Sequence, residues 1–518
     1  MNTIKYSNYV YERMIKVMWY VVQPGDSLYL IARRFGISVE ELKQANQLTS
    51  NVIYVGQRLY IPGTNQAITY VVQPGDSLYL IARKFNTLIE SIMVLNNLPN
   101  TNLVVGQRLR IPLYTEVVVN VARANIRSGP GTNYEIITQM VKNARLPALA
   151  HWQNWYKVRL FDGTEGWISS GIVTLNVYGG DKPIVRILGF YTLEEGPTLP
   201  SSYNSFVNNT ELLSEVGLFM FRIDENNPTQ IEKFGEFTDK EVNTLVSIAH
   251  RNNIKIMPVV HNLLYKGGTT TGKNVVKQLV STPENRRVFA QNLVRLIEKY
   301  DFDGVNIDIE DVYIEDSARL SALYTEIGNV LDRKGYFFSA SVPSRVSDAP
   351  FNPFSDPFNY DAIGKAVDEF VVMLYNEHGW PGSPPGPPVS IGWMERVLNY
   401  TITKMPKEKV IAAVSVFGFD FNLTTGKNTY VTYPMAMDLA RRYNKQITFD
   451  EKTQTPMFAY EDEQGNKHEV WFENRQSILA KIRLAWRLGI SGIALWRLGM
   501  EDPAIWTMLD RDVVVRKV

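Results

Sequence analysis

The chain has no cysteine among its 518 residues. A disulfide framework and thiolate-bound zinc are both excluded, and the sequence is indifferent to redox compartment. Histidine is scarce: His151, His250, His261, His378 and His468 show neither an HExxH pattern nor metal-ligand spacing. No metal and no organic cofactor are expected. Charge of one sign is not in excess either, since 54 basic residues face 53 acidic ones for a formal net charge of +1, without basic blocks. That removes the electrostatic footprint of a nucleic-acid binder, so no such partner is expected. Nowhere do about 18 apolar residues run together as a membrane span requires. The opening MNTIKYSNYVYERMIKVMW lacks the apolar centre of a secretory signal, so no signal peptide is recognised. Its first 17 residues read as an upstream start-site extension, because Met14 and Met18 also precede the first folded segment. The oligomeric state is left open.

What is present is ordinary globular composition, 45% apolar and 21% charged. The length exceeds one hydrophobic core and suggests about three or four domains. Aromatic residues reach 12%; stacking on sugars is one use for those at a surface, and most belong in cores.

The chain repeats itself near its start. YVVQPGDSLYLIAR at Tyr20–Arg33 returns unchanged at Tyr70–Arg83. Each copy offers a short strand, a Pro-Gly turn, Asp26-Ser27 or Asp76-Ser77 as helix-cap candidates, and a helix, which Gly36 ends in the first copy. A second helix starts at a capping box, Ser38 to Glu41, and GQRLYIP closes the unit as a strand, giving β-α-α-β. The PGDSL and IA segments, Asn46 and Asn96, and GQRL...IP resemble LysM modules, here at 18–63 and 68–113. That resemblance implies binding of N-acetylglucosamine-containing glycans, peptidoglycan or chitin. It places sugar near Gly25, Asp26, Ser27, Leu28 and Ile53, and near Gly75, Asp76, Ser77, Leu78 and Leu103. Gly25 and Asp26 also have a purely structural reading as turn and cap. Two weak modules on a short linker gain avidity on a polymer.

From 114 to 177 short strands alternate with turns, as in ANIRSGPGTNYEII and the FDGTEGW hairpin, and a small all-β barrel is expected. NIRSGPGTNY and GTEGWI resemble bacterial Src-homology-3-like modules, which bind wall peptides or act as spacers; both readings stay open. Residues 180–518 alternate apolar strands with helical stretches: VRILGFY, VGLFMF, IKIMPVV, GVNIDIE, FFSASVP, EFVVMLY, KVIAAVSVFG and GIALW. Eight such units predict an α/β class, (β/α)8 TIM barrel. Residues of about 420 to 472 form an insertion whose EDEQGNKHE reads as a hairpin turn, the ligand spacing being wrong for calcium.

The segment NIDIE ends the fourth strand. Alternation puts Asn306, Asp308 and Glu310 on one face, with Val305, Ile307 and Ile309 opposite. The polar face belongs at the barrel mouth, where such barrels build their sites. Carboxylates at i and i+2 lie roughly 6 to 7 Å apart at Cα, close enough to couple, so that one keeps a proton near neutrality. A protonated acid of this kind suits acetal cleavage.

Asp303, Asn306, Asp308 and Glu310 resemble the DxxDxDxE signature of glycoside hydrolase family 18. In that family the substrate's own N-acetyl oxygen attacks the anomeric carbon, with retention of configuration. The resemblance makes Glu310 general acid and then base, and has Asp308 orient the acetamide. Tyr375 hydrogen-bonds that acetamide, and Trp496 forms the floor of the −1 site. Tyr191 lines the pocket, and Asn376 and Glu377 stand beside the substrate. The bland alternatives are a brace or cap for Asp303, core for Trp496, and a loop ion pair for Glu377 and His378. Asn306 departs from the family's middle aspartate, and IMPVVHN lacks the SxGG of many chitinases. With the LysM pair, these features resemble the spore cortex-lytic N-acetylglucosaminidases. A retaining peptidoglycan hydrolase at the spore coat, cortex or cell wall is expected. A chitinase is the enzyme alternative, and a wall-binding lectin or spore-coat protein the non-enzyme one.

Overall fold

The computed structural model describes residues 19–22, 26–35, 39, 42, 43, 46, 48, 50–60, 68–196, 199–375, 377–380 and 382–517. The opening extension, the capping box expected at Ser38 to Glu41, the helix end at Gly36, and the site candidates Gly25 and Asn376 lie outside them. Two compact units divide the chain, 1–113 with 177–181 and 114–176 with 182–518. Among the described residues no helix is long and apolar enough to cross a membrane.

In the first unit each repeat closes as a two-stranded antiparallel ribbon, Trp19–Val21 with Arg58–Tyr60 and Ile68–Val71 with Arg108–Ile111. The second copy carries helices Leu78–Lys84 and Ile89–Leu95 between its strands, around a core of Tyr70, Leu78, Ile81, Ile92 and Leu109. The two cap candidates divide the work. Ser77 caps the helix by accepting from the Leu80 N–H. Asp76 instead closes the turn before it, Oδ2 accepting from Gln73 N and Tyr70 Oη, both at 2.7 Å. Asn96 fastens the closing strand, exchanging bonds with the backbone N–H and carbonyl of Arg110, both at 2.7 Å.

The second unit is built on eight parallel strands: β1 (Ile184–Tyr191), β2 (Glu215–Ile223), β3 (Lys255–His261), β4 (Gly304–Asp308), β5 (Phe337–Pro343), β6 (Glu369–Met373), β7 (Val410–Ser415) and β8 (Gly492–Trp496). Each pairs with the next, and β8 with β1 closes the ring. All eight correspond to apolar runs in the sequence. Between them lie amphipathic helices with clear start and stop signals. Asp239–Arg251 begins at a Thr238/Glu241 capping box; Pro283–Tyr300 begins on a capping Thr282 and ends at Asp301, φ 59°. Alternation splits the strand residues into two layers. Val305, Ile307, Ala340 and Val372 face the helices, while Leu188, Phe190, Met257, Val259, Val371, Ile411 and Ala494 fill the barrel.

A five-stranded antiparallel sheet with the helix Tyr433–Arg442 stands between β7 and β8. Its strands Thr455–Glu461 and Lys467–Trp471 flank a tight turn in which Asp462 Oδ1 accepts from Gln464 N and Asn466 N, the hairpin expected there. Residues 114–176 form a seven-stranded sheet around Val117, Ile126, Met140, Val158 and Ile168. This module is fastened to the barrel. Phe161 stacks on His250 with centroids 4.0 Å apart, and Asn253 Nδ2 donates to the Arg145 carbonyl.

Candidate active site

The β4 ladder ends at Asp308, and Glu310 stands two residues beyond it. Three inward groups follow one another up the strand, and each is handled differently. Asn306 is fully buried and satisfied: Nδ2 donates to Ser339 Oγ at 2.8 Å, and Oδ1 accepts from Ser341 Oγ at 3.0 Å. Ser339 donates onward to Glu369 at 2.9 Å, and Glu369 and Glu215 both pair with Arg186 in the barrel floor. The amide thus sits on top of a buried ionic network as its neutral end.

Asp308 has no such support. Burial pushes its pKa up to about 7, and Oδ1 is buried without a hydrogen-bond partner among the described residues. Glu310 is raised well above the ordinary carboxyl range, by burial first and then by Asp308 and Asp311. Two neighbouring acids, both raised, resist being ionised together. The arrangement keeps a carboxylic acid next to a carboxylate, which is what protonation of a leaving oxygen beside a developing cation requires.

The Glu310 backbone is fixed by Asn262, just past β3. Its Oδ1 accepts from the Glu310 N–H at 2.9 Å, and its Nδ2 donates to the carbonyls of Asp311 at 2.8 Å and Gly272 at 3.2 Å. Sequence reasoning missed this clamp. It stands in the IMPVVHN segment that lacks the small-residue motif of many chitinases. Asp303 is a brace at the other end of β4, with Oδ2 accepting from Ile256 N at 2.7 Å and facing His250.

Across the mouth the wall is aromatic. Trp496 at the end of β8 lies edge-on to Phe190 and Phe219 and nearly parallel to Tyr375, centroids 6.2 Å apart. Tyr375 follows β6, its phenol pushed up by burial and then by Asp308 and Glu310, so it remains a hydroxyl donor. Tyr191 does not join them, contrary to expectation. It packs outward against Phe206 in the helix-facing layer, and the preceding residue, Phe190, points inward in its place.

Glu377 is engaged by its own loop: its carboxylate accepts from Ser390 N at 2.7 Å and Ser390 Oγ at 3.0 Å, at the start of helix Ile391–Thr401. His378 Nδ1 donates to the Pro384 carbonyl rather than pairing with Glu377. Gly379 is required nearby, at φ 108° with the Phe419 ring where a Cβ would stand. Asn428 donates to its carbonyl at 2.8 Å, so the inserted sheet walls this side of the mouth and leaves Trp380 half exposed at the lip.

In the LysM-like modules, Leu28 and Leu78 are core, 2% and 1% exposed, so their side chains are closed to a sugar. The next residues are the open ones, Tyr29 at 62% and Tyr79 at 61%. Ser27 and Ser77 each accept a helix N–H. Ile53 and Leu103 are half-buried against the module cores.

This barrel with paired acids at the end of its fourth strand is a glycoside hydrolase architecture, and the comparisons with known proteins agree. The glycosyl hydrolases family 18 profile matches residues 186–501, the LysM domain matches 20–62 and 70–112, and the bacterial SH3 domain matches 122–174. The chain belongs to glycosyl hydrolases family 18. It is 26% identical over 505 residues to the putative sporulation-specific glycosylase YdhD of Bacillus subtilis, covering 96% of this chain and 99% of that one. To the cortical fragment-lytic enzyme of Bacillus anthracis it is 31% identical over 258 residues, 49% of this chain and 59% of that one. The crystal structure of the spore cortex-lytic enzyme SleL of Bacillus cereus superposes with a TM-score of 0.58 at 26% identity, covering 96% and 99% of the two chains. The protein is thus a family 18 glycoside hydrolase related to spore cortex-lytic enzymes, with glycan-binding modules ahead of its barrel.

Proposed function

We propose that the protein hydrolyses the β-1,4 bond on the reducing side of N-acetylglucosamine in peptidoglycan, the spore cortex or its fragments, with retention of configuration. The observation that carries this reading is the placement of the acids. Protein-only schemes need two carboxylates flanking the bond from opposite sides of the sugar. Here Asp308 and Glu310 rise from one strand, and the wall from β1, β2, β6 and β8 that faces them is aromatic. A nucleophile supplied by the substrate fits that one-sided arrangement.

In the first step Glu310 gives its proton to the leaving glycosidic oxygen while the acetamide oxygen attacks the anomeric carbon. The Tyr375 hydroxyl donates to that oxygen, and ionised Asp308 accepts the acetamide N–H and stabilises the oxazolinium ring. Trp496 supports the apolar face of the sugar. In the second step the Glu310 carboxylate takes a proton from water, whose oxygen attacks the same carbon and restores the acetamide. The LysM modules, together with the likeness to spore and cortex-lytic proteins, support a substrate in the wall rather than among free oligosaccharides.

The test is mass spectrometry of soluble products from spore-cortex peptidoglycan and from chitin, with a Glu310→Gln control. Muropeptides ending in reducing N-acetylglucosamine, absent from the control, are expected. Chito-oligosaccharides alone would make the protein a chitinase, and no product from either polymer would leave it a wall-binding lectin.

A further inference from the structure

β3 ends on His261, which strand register sets level with Asp308 on β4. The imidazole is fully buried and lies flat on Phe219, centroids 4.0 Å apart and 6° from parallel, with Phe234 edge-on against it. That stack fixes the ring plane. The chain beyond fixes its polarity: the Leu263 N–H donates to His261 Nδ1 at 3.1 Å. The turn continues through Leu264 at φ 61°, held by a bond from Arg222 Nη1 to the Leu264 carbonyl. A left-handed leucine is strained, and such strain persists where the surroundings over-determine it. With Nδ1 accepting, a neutral imidazole carries its proton on Nε2. Burial, and then Arg222, keeps the ring neutral by holding its pKa down to about 3.

Nε2–H is therefore a buried donor, and it has no acceptor among the described residues. Asp308 Oδ1, on its register partner, is a buried acceptor in the same condition. Orphans of this kind are rare, and two of complementary sense on neighbouring strands call for a common partner. A single water accepts from one and donates to the other at little cost.

We propose that His261 is a positioning residue for Asp308, its Nε2–H donating through one water to the free Asp308 oxygen so that the other oxygen is aimed at the substrate acetamide. The role rests on the proposed mechanism, in which Asp308 acts ionised and correctly turned. The other groups around the pair are Glu310 and Asp311 beyond β4, Arg222 from β2, Tyr375 after β6, and Tyr324 from the helix after β4. A neutral donor adds to these the hydrogen bond that an ionised Asp308 lacks.

The test uses the full chain with His261→Phe, which keeps the stack and removes the donor, and His261→Gln, which keeps a donor. The pH profiles of kcat and kcat/KM are measured on a soluble N-acetylglucosamine oligomer. His261→Phe is expected to lower kcat about tenfold with KM changed less than about twofold. The acid limb should move up by roughly one pH unit, because ionised Asp308 has lost a donor. His261→Gln should restore most of both. An unmoved acid limb, or a loss confined to KM, overturns the assignment.

A second readout needs no substrate. The Tm difference between each protein and its Asp308→Asn counterpart, followed against pH, reports the Asp308 titration. Its midpoint should lie higher in the His261→Phe background, and an unchanged midpoint overturns the proposal. Inactivity of the unmutated chain on every glycan would contradict the proposed function, and this titration would still decide the role of His261.

Discussion

Asn306 Nδ2 donates to Ser339 Oγ, and Ser339 passes its own single proton to Glu369. Toward position 306 the serine therefore presents only lone pairs, and the residue there must be a donor. An aspartate would set acceptor against acceptor in a fully buried place. Asn306→Asp should cost about 1–3 kcal/mol near pH 8 and less near pH 5, where the new carboxyl is protonated and donates. Urea unfolding at the two pH values checks this, and equal stabilities would contradict it.

Asp308 bears on stability with a definite sign. Its folded pKa, about 7, lies above an unfolded value near 3.9, so the folded state binds the proton more tightly in between. The protonated form's contribution is complete below the unfolded value and is lost as pH rises toward 7 and beyond. Asp308→Asn should therefore stabilise the protein at pH 8, by on the order of 1–3 kcal/mol, and change little near pH 4. Thermal melts at both pH values measure it.

Asn262 holds the backbone that carries the acid. Asn262→Ala leaves the Glu310 N–H and the Asp311 and Gly272 carbonyls without their present partner, at about 1–3 kcal/mol for such buried groups. With Glu310 no longer held, kcat should fall about 10–100-fold, more than KM changes. A selective rise in KM would place the residue in substrate binding instead.

The exposed tyrosines of the LysM modules offer rings for sugar stacking. Tyr29→Ala with Tyr79→Ala should weaken retention on insoluble peptidoglycan more than either change alone, because avidity needs both modules. Hydrolysis of a short soluble oligomer should be untouched. Equal loss on both substrates would show instead that the substitutions disturb the barrel.

Much of this architecture was legible because its signals are local. The repeat at Tyr20 and Tyr70 is an identity, and the alternation of NIDIE puts Asn306 and Asp308 inward and Ile307 and Ile309 under helices without any knowledge of neighbours. Tyr191 was misplaced for a physical reason. In VRILGFY both faces of the strand are buried, so apolar residues fill every phase, and nothing local says that Phe190 rather than Tyr191 points inward. Leu28 and Tyr29 pose the same problem on a helix of only eight residues. The duties of Asn262 and His261 come from the register of β3 with β4, which pairs His261 with Asp308, and Asn306 finds its serines on β5. Pairing between strands leaves no mark in the pattern of either one.

The most direct test of the mechanism is the configuration of the first product. Proton NMR during the opening minutes of hydrolysis of an N-acetylglucosamine oligomer separates the two anomers before they interconvert. If the substrate acetamide attacks from the face opposite the leaving group and Glu310 then activates water on the face the leaving group vacated, the β-anomer appears first and the α-anomer grows only by mutarotation. An initial α-anomer would mean direct displacement by water, and would contradict the account.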